Sequence, residues 1–318
     1  TPYQPNQSAL NAGYGTGDSC GAYGNRNFWL YFTDWFGSTY HPGADAIAAK
    51  NSSISWLGEQ TSDVRTIGTS GLYQLFENGK IYWSKDTGAH AMRFGSIDNR
   101  YAALGYEAKY LGYPTSDEIT MPGIGTYQSF QGGQIYQSLS TGAWDIRYGA
   151  MFSKYTSLGY ESGYLGLPSS SEIKIKNGTY QSFQGGRLYW QSNSPNMSFS
   201  VKNNIIDNYK QDNYDSGYLG LPESDTLCGL KNSGCWQGFV GGKIYWSTNS
   251  GSFDIHYGDM NNKYAELKYE GGVLGYPTSR EEKTGTTCRS FSDVYQTFQG
   301  GTLYWSACSS PTVRVELK

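Results

Sequence analysis

A Leu-Gly pair returns five times, at Leu57-Gly58, Leu111-Gly112, Leu165-Gly166, Leu219-Gly220 and Leu274-Gly275, at intervals of 54, 54, 54 and 55 residues. A fixed period of this length marks a repeat architecture, in which one supersecondary unit buries its apolar face only against its neighbours. Three further blocks keep the same period. The second reads YQLFENGKIYW, YQSFQGGQIYQ, YQSFQGGRLYW, WQGFVGGKIYW and YQTFQGGTLYW. The third reads TGAHAMRFG, TGAWDIRYG, NMSFSVKNN, SGSFDIHYG and SPTVRVELK. The fourth reads RYAALGYEAKY, KYTSLGYESGY, NYKQDNYDSGY and KYAELKYEGGV.

Local chemistry gives each block a structure. YQxFxGGxIYW is two alternating runs around a glycine pair, which predicts a hairpin whose glycines supply a positive φ. The third block alternates like another strand. The fourth follows Gly95, Gly149 or Gly258 and predicts a short helix ending near Gly105 or Gly159. The PTSxE stretch after Leu-Gly predicts a helix N-cap and a tight turn. The expected fold is a β-rich α+β repeat: five units of about three short strands plus a short helix.

The copy at the C-terminal end stops at Lys318, past its third strand. Counting back from Leu57 places residues 43–56, GADAIAAKNSSISW, where a helix and its lead should lie. That complementarity predicts a closed, pseudo-five-fold, propeller-like ring over 43–318, completed by residues 43–56. In the segment 1–42, Phe28, Trp29, Phe32, Trp35 and Phe36 recur with helical spacing, which predicts an aromatic helix packed on the ring.

Composition narrows the function. Charged residues are 16% and aromatics 16%, with 29 Tyr and 42 Gly. The net charge is −3, and no clustered basic surface marks a nucleic-acid footprint. No apolar run reaches the roughly 20 residues of a membrane span. Thr1-Pro2-Tyr3 reads as a mature, processed end or the boundary of an expressed piece. Of the five cysteines, Cys228 with Cys235 and Cys288 with Cys308 flank short loops, which predicts two local disulfides and a secreted, oxidising setting, with Cys20 left over. Five buried thiols are the alternative. No His-Glu-x-x-His, phosphate-binding loop or nucleophile elbow is present, and Asp117-Glu118 sits in a capping segment. Neither an enzyme nor a cofactor is expected.

The blocks closely resemble the LGFP repeat family, with the tags LGYP, LGLP, LGLP and LGYP and the run F-x-G-G-x-I-Y-W over residues 57–306. The sequence departs from the pattern at Gln60 for Pro, at Gln137 for Trp, and at Ser194-Pro195 for Thr-Gly. Arrays of this family accompany mycoloyltransferases and cell-wall amidases of corynebacteria. The resemblance implies a non-catalytic, lectin-like attachment to a cell-wall polysaccharide, arabinogalactan or peptidoglycan, in a secreted and monomeric protein. The alternatives are a protein-binding adhesin or toxin-like module, or a glycan hydrolase.

Sugars are held by aromatic faces and by planar polar groups. One aromatic set is Trp83, Trp190, Trp246 and Trp305, with Gln137 in the fifth place. The preceding Tyr82, Tyr136, Tyr189, Tyr245 and Tyr304 point to the opposite face, and one of the two sets should be buried. A cation recurs at Arg93, Arg147, Lys202, His256 and Arg314. A carboxylate recurs at Glu107, Glu161, Asp215 and Glu270. The two charges are expected either to pair or to line each groove between units. Gln74, Gln128, Gln181, Gln237 and Gln296 are expected to be buried amides stitching strand to strand rather than ligand contacts.

Overall fold

The computed structural model describes residues 32–33, 39–40, 42–288, 291–310 and 312–318. The chain divides into two compact units, Thr1–Tyr148 and Gly149–Lys318.

The first unit opens with a two-residue pair, β1 (Phe32–Thr33) and β2 (Thr39–Tyr40), then helix α1 (Pro42–Ser52). Its first sheet is β3 (Arg65–Ile67), β4 (Gly71–Phe76), β5 (Gly79–Ser84) and β6 (Gly88–Arg93). Helix α2 (Ser96–Ala103) leads to the second sheet, β7 (Ile119–Met121), β8 (Gly125–Phe130), β9 (Gly133–Ser138) and β10 (Gly142–Arg147).

The second unit begins with α3 (Ala150–Ser157) and the sheet β11 (Ile173–Ile175), β12 (Gly178–Phe183), β13 (Gly186–Gln191) and β14 (Ser198–Lys202). Helix α4 (Asn203–Gln211) precedes β15 (Leu227–Cys228), β16 (Cys235–Phe239), β17 (Gly242–Ser247) and β18 (Gly251–His256). Helix α5 (Asp259–Glu266) precedes β19 (Glu282–Cys288), β20 (Phe291–Phe298), β21 (Gly301–Trp305) and β22 (Val313–Leu317).

Every sheet is an antiparallel meander in sequence order, with two open edges. Each copy therefore has four strands, not three. The additional strand follows PTSxE and is only two or three residues long in four copies, too short to alternate visibly. PTSxE is not a helix cap either, because it leads into that strand. The aromatic helix expected over residues 28–36 falls mostly outside the described residues. Phe32 and Thr33 within it pair with Tyr40 and Thr39 as strands, which a helix through them would not allow.

The Leu-Gly pair earns its period structurally. All five leucines are completely buried. Their carbonyls accept from the hairpin turn, as in Gly132 N–H to Leu111 at 2.8 Å and Asn78 N–H to Leu57 at 3.0 Å. The turn glycines do not adopt positive φ. They allow close approach instead: a Cβ on Gly132 would lie 1.8 Å from the Tyr110 carbonyl oxygen. Gly112 is the left-handed residue, at φ +65°.

Three of the four described cores lie between successive copies. Tyr82 and Met92 of the first sheet pack with Ile97 and Tyr101 of α2 and with Phe130 and Ile135 of the second sheet. The same set recurs as Tyr189, Val201, Ile205, Tyr209, Phe239 and Ile244. It recurs again as Tyr245, Ile255, Met260, Tyr264, Phe298 and Leu303. The helix tyrosine reaches forward each time: Tyr101, Tyr155, Tyr209 and Tyr264 donate to the carbonyls of Gly112, Gly166, Gly220 and Gly275. Helix α1 packs on β4, β5 and β6, with Ile47 in the core of the first sheet ten residues before Leu57, where the later helices carry tyrosine. Residues 42–52 thus hold the place of a repeat helix. Each sheet observed is open, and none is closed into a barrel.

Candidate functional site

Within each unit, successive sheets are joined without strand pairing. An exposed strand edge carries unpaired N–H and C=O groups that need partners. Side chains of the next copy supply them. The N–H groups of Ala91 and Arg93 in β6 donate to the carboxylates of Asp117 and Glu118, at 2.8 and 3.0 Å. In the second unit, Ser200 and Lys202 of β14 donate to Asp225 and to the Thr226 hydroxyl, at 2.8 and 3.0 Å. Between these contacts lies the glutamine that recurs in every copy. Gln128, Gln237 and Gln296 donate to the carbonyls of Ala91, Ser200 and Asp254 in the preceding sheet. They also donate to Ser116, Ser224 and Ser279. All three are completely buried, as is Gln181. Gln74 in the first copy keeps the equivalent bond to Ser62 and makes its other bond to Gln60.

The recurrent cations stack on aromatic rings rather than pairing with the recurrent carboxylates. Arg93 lies 3.8 Å from the centroid of Trp56, Arg147 3.7 Å from Tyr110, and the Lys202 ammonium 4.4 Å from Tyr164. His256 lies 3.9 Å from Tyr218. These rings directly precede Leu-Gly in their copies. The fifth copy has Val273 there, and Arg314 does not hold the register the sequence suggested: Leu317 stands opposite Gly301 as Arg93 stands opposite Gly79, while Arg314 lies over Tyr304 at 4.5 Å with Glu316 at 3.7 Å. Glu107, Glu161, Asp215 and Glu270 lie in short 3-10 helices after α2, α3, α4 and α5. They act electrostatically on core phenols such as Tyr82, Tyr155, Tyr209 and Tyr264. The aromatic partners were readable as the residue before Leu-Gly, but sequence gave no reason to couple a ring to a cation some 37 residues away (as Trp56 is from Arg93).

A second cation series has no counterpart among the sequence-predicted site residues. In the x position of GGxIYW, Arg187 lies over Tyr180 and Tyr214, and Lys243 over Trp236 and Tyr269. Lys80 pairs with Asp98 at 2.7 Å beneath the ring of Tyr106.

Both aromatic sets of the third strand of each sheet are drawn inward, because helices cover both faces of a sheet. Tyr82, Tyr136, Tyr189 and Tyr245 are buried. Trp83 is buried against α1, while Trp190, Trp246 and Trp305 are half-buried. Trp305 donates its indole N–H to Asp259 at the start of α5, at 3.0 Å, and Trp190 donates to the Pro195 carbonyl at 2.8 Å.

The second sheet has Gln137 in this register, and a cleft of about 440 Å³ opens in front of it. Its walls include Ile54 and Trp56, Arg93 and Phe94, the start of α2 at Ser96, Asp117 and Glu118, and Thr120 and Thr126. Burial pushes the Asp117 pKa up, but hydrogen bonds from His90, the Ala91 N–H and Lys50 outweigh it and hold the carboxyl at about 2. Burial pushes Glu118 up, and the Arg93 N–H only partly offsets it. In the fourth copy, burial lowers the His256 pKa, but Asp254 at 3.0 Å and Glu281 at 3.3 Å outweigh it and lift the imidazole to about 9.

Cys228 and Cys235 are disulfide-bonded across the β15–β16 ladder. Cys308 is disulfide-bonded as well, while the Cys288 side chain and all of Cys20 lie outside what is described. Among the described residues, no group of His, Cys, Asp and Glu could hold a metal ion, and no helix is long and apolar enough to cross a membrane.

Sheet–helix copies joined by the same contacts at the same positions define a repeat protein. The chain belongs to the LGFP repeat family, whose model matches residues 57–108, 111–163, 165–217, 219–272 and 274–315. No curated protein matches it. Two solved structures of the extracellular domain of BT4673 from B. thetaiotaomicron are distantly similar. One, described as a one component system, is 12% identical with a TM-score of 0.17, covering 80% of this chain and 29% of its own. The other, described as a hybrid two component system, is 11% identical with a TM-score of 0.16, covering 91% and 42%. Superposition this poor bears on neither fold nor function.

Proposed function

We propose that this chain is a secreted, non-catalytic, lectin-like module that attaches to a bacterial cell-wall polysaccharide, arabinogalactan or peptidoglycan, through repeated weak sites. The observation that carries the reading is the cation stacked on an aromatic ring at the same place in four copies, Arg93–Trp56, Arg147–Tyr110, Lys202–Tyr164 and His256–Tyr218. A flat apolar face beside fixed N–H donors suits a sugar, whose ring has a C–H face and a hydroxyl edge. Membership in a repeat family and the Cys228–Cys235 disulfide support a binding module in an oxidising setting. In this reading the protein acts as a monomer, with α1 holding the place of a repeat helix before the first sheet, as the equivalence of Ile47 to the helix tyrosines supports.

Weak sites gain strength by avidity on a polymer. Retention on purified arabinogalactan or peptidoglycan, far tighter than binding of a short oligosaccharide, is the expected result. No retention on either polymer overturns the reading.

A further inference from the structure

The register that ends each second hairpin strand is filled by an indole in four copies. At the first sheet, Trp83 lies so close to the start of α1 that a Cβ on Gly43 would be 2.5 Å from its ring. At the fifth sheet, Trp305 bonds to Asp259 at the start of α5. In these two copies the indole occupies the space between a sheet and the start of the helix before it. At the second sheet that space lies between Gln137 and Ser96 of α2, and it is the open cleft. An amide in place of an indole leaves room for one ring.

The lining specifies what kind of ring. Trp56 and Ile54 give an apolar wall. The Thr126 hydroxyl donates to the Gln137 amide oxygen at 3.1 Å and so orients the amide, whose NH2 group joins Arg93, Glu118 and the Thr120 hydroxyl as planar and hydroxyl groups able to grip adjacent hydroxyls. Asp117 is already engaged by the Ala91 N–H and by Lys50 at 2.9 Å. An anionic ligand would meet Asp117 and Glu118, and a cationic one would meet Arg93. A neutral ligand meets neither repulsion.

We propose that the cleft in front of Gln137 is a specialised subsite that takes a single neutral, hydroxylated sugar ring of the polymer, so that the repeats do not bind equally. The proposal rests on the glycan-binding reading above and assigns its strongest contact to one groove.

The test compares the full chain with Gln137→Trp, which restores the side chain that the other four copies carry and so should fold at least as stably. Retention on arabinogalactan and on peptidoglycan is measured as a function of protein concentration. Free D-galactose, D-arabinose and N-acetylglucosamine serve as competitors. The expected result is a loss of at least tenfold in polymer affinity for Gln137→Trp, and displacement of the unaltered chain by one of the three sugars. Arg93→Ala, an exposed change, should weaken retention in the same direction and stands in if Gln137→Trp fails to fold. Unaltered retention of the substituted chain, or no displacement by any of the sugars, overturns the subsite while leaving wall attachment in place. Failure of the unaltered chain to bind either polymer overturns both.

Discussion

The side-chain amide of Gln237 donates to the carbonyl of Ser200, 3.1 Å away, in the sheet before its own. A second hydrogen of the same amide goes to Ser224 at 2.7 Å. One buried glutamine thus fastens two sheets that share no strand pair.

Replacing Gln237 with Leu should leave the Ser200 carbonyl with only the Thr226 N–H, at 3.1 Å, and strip the amide from the Ser224 carbonyl and the Thr226 hydroxyl in a fully buried site. An unpaired buried polar group costs about 1–3 kcal/mol. Urea unfolding should show a loss of that order, with the midpoint lowered. A midpoint unchanged from the parent would mean the stitch contributes nothing.

Tyr209 is fully buried and bonds to Gly220 at 2.6 Å. Tyr209→Phe keeps the ring and its contact with Phe239 but loses the hydroxyl, and should cost about 1 kcal/mol. Tyr209→Ala should cost about 3–5 kcal/mol, as for other large-to-small core changes. Equal losses in the two variants would contradict a separate contribution from the hydrogen bond.

His256 sets an alkaline limit. Its folded pKa, about 9, is raised above the ordinary 6.5. Its stabilising effect is therefore complete below about pH 6.5 and is lost as pH rises through about 9. The melting temperature should fall over that interval, and His256→Gln should flatten the fall. Asp117 works in the other direction: its pKa is depressed from 3.8 to about 2, so its contribution is present above 3.8 and is lost as pH drops through about 2.

The Cys228–Cys235 bridge closes a loop with a sequence separation of 7. Constraint of so short a loop in the unfolded chain amounts to roughly 2 kcal/mol. Replacing both cysteines with serine should lower stability by that order in calorimetry under non-reducing conditions. A melting curve identical to the parent's would show that the ladder pairing at that hairpin suffices.

The sequence by itself determined the period, the hairpins, the short helix after Gly95, Gly149 and Gly258, and the pairing of Cys228 with Cys235, because these rest on contacts near in the chain. It also made the buried Gln series legible, since an amide kept in register on a strand needs partners. Tertiary structure decided the rest. The alternation of Tyr82 with Trp83 distinguishes two faces of a strand, yet both face inward, because the helix before the sheet covers one and the helix after it covers the other. The Arg93 and Glu107 series looked like partners by their shared period. They part because a strand end and a 3-10 turn project from different places in the copy, bringing Arg93 to Trp56 and Glu107 to the phenols of Tyr82 and Tyr101. The cleft before Gln137 came from one residue departing from the pattern. The departure was visible in sequence, but only the neighbouring helix shows what space an indole there would fill.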